Sequence, residues 1–383
     1  MELQHCKWDA QVGDVPVLAP FPLLIGCADW AELARLAEQL TDETLTLERA
    51  LLVRPDLHAR VGLPRRLHKL LASGAPSPAA ARVMRFDFHY TTQGWRISEV
   101  NSDVPGGFTE ATQFARLVAA HVPRARVPGD PTAALVEALV RTAGDRGAVA
   151  LTNAPGHMED HQVVAYLASA LRTRGLTAHV ISPRHLRWQS GRATVESAGY
   201  AGPVDAIVRF YQAEWLATLP ERACWQPLFV GGRTPVANPG VAALSESKRL
   251  PLVWDALSAR VPTWRSLLPE TRAPAEVPWR NDERWLVKTA YSNTGDTVSI
   301  RASMSAGAWA RLGWRVRLRP GQWVAQRRFT LAPIAHRSGP LLPCVGVYTV
   351  DGRVAGAYTR LARGAIVDAA ARDAVLLIDE DRP

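Results

Sequence analysis

One stretch constrains this chain more than any other: Arg85-Phe-Asp-Phe-His-Tyr-Thr-Thr-Gln-Gly-Trp-Arg-Ile-Ser-Glu-Val-Asn101. Its middle, Thr92-Gln93-Gly94, suits a three-residue hairpin loop with Gly94 in the left-handed position. A hairpin centred on residue 93 sets Asp87 opposite Glu99 and Arg85 opposite Asn101, and opposed residues of an antiparallel pair share a face. The other face carries Phe86, Phe88 and Val100, which call for a core. Two carboxylates, an amide and a guanidinium are poor core material. They suit a hard cation, because magnesium takes oxygen ligands and is often shared with substrate phosphates. The plainer alternative is a half-buried hairpin with a solvated charged face, the normal pattern of antiparallel sheets. The rest of the chain has to decide between them.

Composition narrows the setting. At 383 residues, with 47% hydrophobic and 21% charged side chains, the chain can bury a sizeable core and reads as a soluble globular protein. The polar, charged start and the lack of a long apolar run predict no signal peptide and no membrane span, hence a cytoplasmic protein. Cys6, Cys27, Cys224 and Cys344 are scattered, without metal-ligand or redox spacing. The net charge of +9 comes from arginines spread along the chain, with no basic block and no RNA-binding motif, so nucleic acid is not expected as a partner. Lysine is rare: of 45 basic residues only Lys7, Lys69, Lys248 and Lys288 are lysine. Lysine meets phosphate as a compact point charge where arginine offers a planar fork, which makes Lys248 and Lys288 candidate phosphate contacts. Lys288 as an aggregation-deterring edge residue is the alternative.

Periodicity divides the chain. Trp30 to Leu52 and Pro64 to Leu71 read as helices, and the hairpin follows. A glycine-rich lead-in, Ser102 to Gly107, opens a helix from about Phe108 to His121, where backbone N–H groups could face an anion. Residues 122–131 read as a linker. Strands at 148–152, 177–182 and 204–211, with a helix from Glu159 to Arg174, argue a small parallel, Rossmann-like lobe, but no glycine fingerprint marks a nicotinamide site. The last third turns antiparallel. Strands are expected at 285–289, from 298, at 323–326, at 342–350 and at 353–359, the last two joined by the Asp351-Gly352 turn.

The order of these pieces resembles the glutathionylspermidine synthase family and its short, synthetase-like relatives. "RFDFHYTTQGWRISEVNSDVPGGFTEA" resembles that family's metal hairpin and following helix, and "ALSESKRLPLVWDAL" its first ATP-lysine segment. "WLVKTAYSNTGDTVSI" resembles its second-lysine strand and phosphate loop, "WVAQRRF" its adenine hinge and "VGVYTVDGRVAGAYTR" its terminal hairpin. The resemblance implies an α+β, permuted ATP-grasp fold with an inserted Rossmann-like lobe. It divides the chain into 1–125 (helices and metal hairpin), 140–236 (Rossmann-like lobe) and 237–383 (nucleotide-binding subdomains). It further implies that Asp87, Glu99 and Asn101 hold Mg2+, as two ions, and that Arg85 and Arg360 face the transferred phosphoryl group. Lys248, Lys288, Ser292 and Gly295 would hold the ATP phosphates, with Gln326 and Phe329 at the adenine. The chain departs from the family pattern at Thr289, Asn293, Thr294 and Leu361. The implied activity is ATP-dependent joining of a small-molecule or peptide carboxylic acid to an amine. A nucleotide-binding regulatory protein and a small-molecule kinase are the alternatives.

Overall fold

The computed structural model describes residues 8, 11–12, 15–292, 297–368 and 370–382. It is a mixed α/β structure with several sheets. The largest antiparallel sheet orders its strands Arg372–Ala374, Arg353–Ala362, Leu342–Val350, Val83–Thr91 and Gly94–Asn101. The hairpin of the sequence therefore forms one side of a sheet that the C-terminal hairpin completes. Helix Cys27–Leu52 carries Leu33, Ala37, Leu40, Leu47 and Leu51 at helical spacing, and they share a core with Phe86, Phe88, Val345 and Val347.

The hairpin register holds a correction. Arg85 opposes Asn101 and Asp87 opposes Glu99, as the loop-centred argument required. Nearer the turn, however, Thr91 pairs with Gly94, His89 with Arg96 and Phe88 with Ile97, a register one residue tighter than the expected loop gives. A bulge at Ser98 restores the register beyond Phe88. Gly94 does take the left-handed conformation, at φ +82°. The parity of the sequence carries the signal: Trp95 and Ile97 alternate toward the core, and Val100 resumes on the same side only if one residue is extra.

A second, parallel sheet orders Ala79–Ala81, Val236–Ala237, Ala206–Phe210, Ala148–Asn153 and Thr177–Ile181. Helices Pro131–Ala143 and Met158–Thr173 bury Leu135, Leu139, Val164 and Leu167 in the same core as its strands. An antiparallel meander, Leu186–Gln189, Arg192–Ser197 and Tyr200–Pro203, lies between its last two long strands in sequence and was not expected. Its turn signal is Ser190-Gly191, both at positive φ, as a tight hairpin turn demands. A third sheet, Thr271–Arg272, Trp323–Arg327 and Trp285–Thr289, packs Trp285, Val287 and Trp323 against Trp309, Leu312 and Val316 of helix Ala306–Leu318. The strand expected from Val298 is absent. Ser299 makes a single bridge with Val287, because the chain turns at once into the 3-10 turn Arg301–Ser303. The 122–131 segment is more than a linker, since Ala125–Arg126 pairs with Leu376–Asp379. Among the described residues no helix is long and apolar enough to cross a membrane.

Polar side chains tie the antiparallel and parallel sheets together. Asn238 donates to the carbonyls of Val83 and Asp103, each at 3.0 Å, and accepts from the Val83 N–H at 2.8 Å. Arg209, on a central parallel strand and fully buried, forms an ion pair with Asp103, just past the hairpin. Asp103 also accepts from the Ala213 N–H at 2.7 Å. Replacing Asp103 by alanine leaves the Arg209 charge buried without its counter-ion. Asp103→Ala is expected to destabilise the protein by roughly 3–5 kcal/mol, read as a lower denaturant midpoint; an unchanged midpoint would show that the pair does not join the sheets.

Candidate active site

The antiparallel sheet and the small third sheet enclose a cavity of about 760 Å³. Strand alternation decides what faces it. On Val83–Thr91 the cavity receives Arg85, Asp87 and His89, and on Leu342–Val350 it receives Leu342, Cys344 and Gly346. The neighbouring strands add Tyr358 and Arg360 on one side and Ser98 and Glu99 on the other. Rows run across the sheet: Arg360, Cys344 and His89 form one, and Tyr358, Gly346, Asp87 and Glu99 the next. The small sheet contributes Lys288 and Gln326, followed by Phe329.

Of the residues singled out from sequence, Arg85, Asp87, Glu99, Lys288, Gln326, Phe329 and Arg360 thus line one cavity. Asn101 sits beside it and donates to Asp87 Oδ2 at 3.0 Å. Lys248 lies on the far side of Glu99, in a narrow pocket with Glu246 and Gln326. Ser292 offers its carbonyl to Lys248 Nζ at 2.8 Å, and its hydroxyl accepts from Thr297 at 2.6 Å. Gly295 lies outside the described residues, as do Asn293 and Thr294.

The charges are arranged in pairs. Arg85 grips Asp87 with Nε to Oδ1 at 2.8 Å and Nη2 to Oδ2 at 3.0 Å. Gly346 makes room for this, since a Cβ there would meet Arg85 Cδ at 2.8 Å. The guanidinium also lies over the Tyr358 ring and donates to the Gly106 carbonyl at 2.9 Å. The lead-in to the next helix thus presents a carbonyl to Arg85. Glu99 stands between two ammonium groups, Lys248 at 3.4 Å and Lys288 at 3.9 Å. Burial raises the Glu99 carboxyl, but Lys248, Lys288 and Arg85 outweigh it and leave the group below its usual value. Burial lowers Lys288 to about 8, with Glu99 only partly offsetting it. At 3% exposure Lys288 is no edge-guarding surface lysine; its Nζ donates to the Ser98 carbonyl at 2.9 Å.

Can these residues hold magnesium? Asp87, Glu99 and Asn101 present oxygen donors on one face of adjacent strands, the donor type that ion prefers. Among the described residues no three His, Cys, Asp or Glu side chains converge into a cage. A protein shell of two carboxylates and an amide fits an ion whose remaining ligands are water and phosphate oxygens. The donor set fits on those terms.

Several groups here escaped the sequence reading. His89 is packed 5.1 Å from Phe329 and is pushed down to about 4 by burial. Cys344 and Tyr358 line the cavity, and burial raises both. Their parity within strands 342–350 and 353–362 was the available signal. Glu246 accepts the N–H groups of Ser102 at 2.7 Å and Asp103 at 2.9 Å. Leu361, a departure from the family pattern, points away from the cavity and packs with Leu341 and Ala374.

Residues 24–378 match the glutathionylspermidine synthase preATP-grasp family. The chain belongs to that family. Among solved structures, a glutathione synthetase-like effector from Globodera pallida in apo form is similar, at 14% identity and TM-score 0.61, over 94% of this chain and 89% of that one. This preATP-grasp family member is also aligned with a putative gamma-glutamylcysteine synthetase from Methylobacillus flagellatus (14% identity, TM-score 0.46, 90% and 85% covered). A D-alanyl-alanine synthetase A from Vibrio cholerae aligns at 9% identity and TM-score 0.35, over 62% and 90%. No curated protein sequence matches significantly.

Glu246 gives a pH test of this buried polar region. Burial raises its carboxyl to about 8, Lys248 opposing and Asp103 adding to the rise, against an ordinary value of 4.5. Between those values the folded chain keeps a proton that the unfolded chain has released. The group's contribution is therefore full below the unfolded value and lost as pH rises through about 8. Glu246→Gln should lack this loss: relative to wild type its Tm should improve by several degrees from about pH 5 to about pH 9. A parallel pair of Tm–pH curves would refute the assignment.

Proposed function

We propose that this protein is an ATP-dependent carboxylate–amine ligase on a permuted ATP-grasp fold, forming an amide or peptide bond and releasing ADP and phosphate. The observation that carries the reading is the placement of Asp87, Glu99 and Lys288 at one cavity, with Asn101 bonded to Asp87 beside it and Lys248 behind Glu99, so that Glu99 stands between the two ammonium groups. Family membership supports it, and so does the shared fold of a synthetase-like neighbour. The permuted order is supported by the pairing of strand Val83–Thr91, upstream of both lysines, with Leu342–Val350, downstream of them.

A carboxylate does not condense with an amine at neutral pH, because its leaving group is poor. In the proposed reaction a carboxylate oxygen attacks the γ-phosphorus of ATP and the bond to the bridging oxygen breaks, leaving ADP and an acyl phosphate. The amine then attacks the acyl carbon, phosphate departs with both electrons of the C–O bond, and the nitrogen loses a proton. Phosphoryl transfer asks the protein chiefly for position and charge. Lys248 and Lys288 hold the phosphate tail. Arg85 and Arg360 face the transferred group and offset its developing charge. Asp87, Glu99 and Asn101 would hold magnesium, which would supply neutralisation of phosphate charge. The strand 323–327 and Phe329, backed by His89, form the adenine wall. Gln326 contributes through the backbone of that strand, since its amide donates to Thr271 at 3.0 Å. Ser292, whose carbonyl accepts from Lys248 Nζ at 2.8 Å, stands at the phosphate end of the site.

The test is a phosphate-release screen across amino acids, short peptides, other carboxylic acids and polyamines, followed by mass spectrometry of the product. A ligase yields free phosphate and a condensed product, whereas a phosphorylated substrate would establish a kinase instead. Asp87→Ala and Glu99→Ala are each expected to lower turnover at least ~100-fold with an unchanged circular dichroism spectrum; full activity in either removes the metal assignment. Lys288→Arg keeps the charge but replaces a compact ammonium at 3% exposure with a wider fork. It should weaken ATP binding and slow turnover together, and unaltered ATP affinity and rate would exclude Lys288 from the phosphate site.

A further inference from the structure

We propose that Arg85 is a built-in counter-ion that keeps bare divalent metal off Asp87, so that metal and nucleotide load onto the site together. The inference rests on the ATP reading above and adds an order to it. Both oxygens of Asp87 are engaged: Oδ1 accepts Arg85 Nε at 2.8 Å, and Oδ2 accepts Arg85 Nη2 and Asn101 Nδ2, each at 3.0 Å. Glu99 faces Lys248 and Lys288 at 3.4 and 3.9 Å. The two carboxylates of the site therefore meet three cationic side chains, Arg85, Lys248 and Lys288. Arg85, Asp87, Lys248 and Lys288 are all no more than 9% exposed, so solvent screens this charge poorly.

A bare dication entering here meets an excess of positive charge and must break a bidentate, charge-assisted pair to reach its ligand. A nucleotide alters both terms. Its phosphates cancel the excess charge and offer the Arg85 fork an equally good bidentate acceptor. Arg85 is placed to make that exchange. Gly346 leaves its stem room beside the sheet, while the Tyr358 ring and the Gly106 carbonyl hold the guanidinium at the cavity wall. Once the fork turns to phosphate, the Asp87 oxygens become available to the metal. By linkage, metal and nucleotide must then raise each other's affinity by the same factor.

Mn2+ binding, followed by loss of the free-ion electron paramagnetic resonance signal, tests this without turnover. Wild type should take up Mn2+ at least ~10-fold more tightly with a non-hydrolysable ATP analogue, corrected for Mn2+ held by the analogue alone, than without it. Arg85→Gln should gain nucleotide-free Mn2+ binding by ~10-fold or more, and adding Asp87→Asn should abolish the gain. Arg85→Lys, which keeps the charge but not the fork, should gain less, and it carries the comparison if the glutamine variant does not fold. Wild type binding Mn2+ equally well with and without the analogue, or an Arg85 variant that folds but gains nothing, overturns the proposal. Failure of the analogue to bind at all counts against the ATP reading instead, and the nucleotide-free comparison of wild type with Arg85→Gln then decides the counter-ion role alone.

Discussion

Asp87, buried, and Glu99, partly buried, are neighbouring carboxylates on one sheet face, and much of the surrounding structure answers the charge they bring. Charge at low exposure is costly unless it is paired and hydrogen-bonded. Asp87 receives the Arg85 fork and the Asn101 amide, and Glu99 receives two lysines. Each partner brings its own constraint. The fork needs a strand neighbour without a side chain, which is Gly346. Lys288 must come from a second sheet, where burial pushes its ammonium down to about 8. Lys248 must be held at the end of a buried segment, where the Ala290 carbonyl accepts its N–H at 2.9 Å.

Long-range closure builds the site. Strand Val83–Thr91 lies between a strand that immediately follows it and one more than 250 residues later, by the numbering of Val83 and Leu342. The intervening chain forms the parallel sheet and returns through Asn238, which bonds both Val83 and Asp103. The buried Arg209–Asp103 pair fixes the same junction. The N–H groups of Ser102 and Asp103 are held by Glu246 and the Gly106 carbonyl by Tyr348, groups from distant segments that anchor the chain where it leaves the hairpin.

Much of the cavity was legible because strand parity is a local property. Residues two apart share a face, so Arg85 and Asp87 had to lie together, and Phe86 and Phe88 had to lie against the core. The scarcity of lysine drew attention to Lys248 and Lys288. The Ser98 bulge is also written in the chain, in the shift of parity between Ile97 and Val100; a tighter turn plus that one extra residue gives Asp87 the same partner, Glu99, as a three-residue loop without a bulge. The meander at 186–203 was missed because a short polar strand signals weakly beside the apolar strands around it. The single bridge at Ser299 was mistaken for a strand because an apolar-polar-apolar triplet looks the same in either context.

The sequence by itself determined which side chains could share a face, where the chain must turn, and that carboxylates and rare lysines were kept in a chain otherwise rich in arginine. These follow from alternation, turn stereochemistry and residue chemistry, which act over a few residues. Only the tertiary structure decided that Glu99 stands between Lys248 and Lys288, that Lys248 lies behind it and outside the main cavity, and that Arg85 holds Asp87 over Gly346. Those outcomes depend on charge pairing and close contact between segments far apart in the chain, and no local pattern encodes the distance between them.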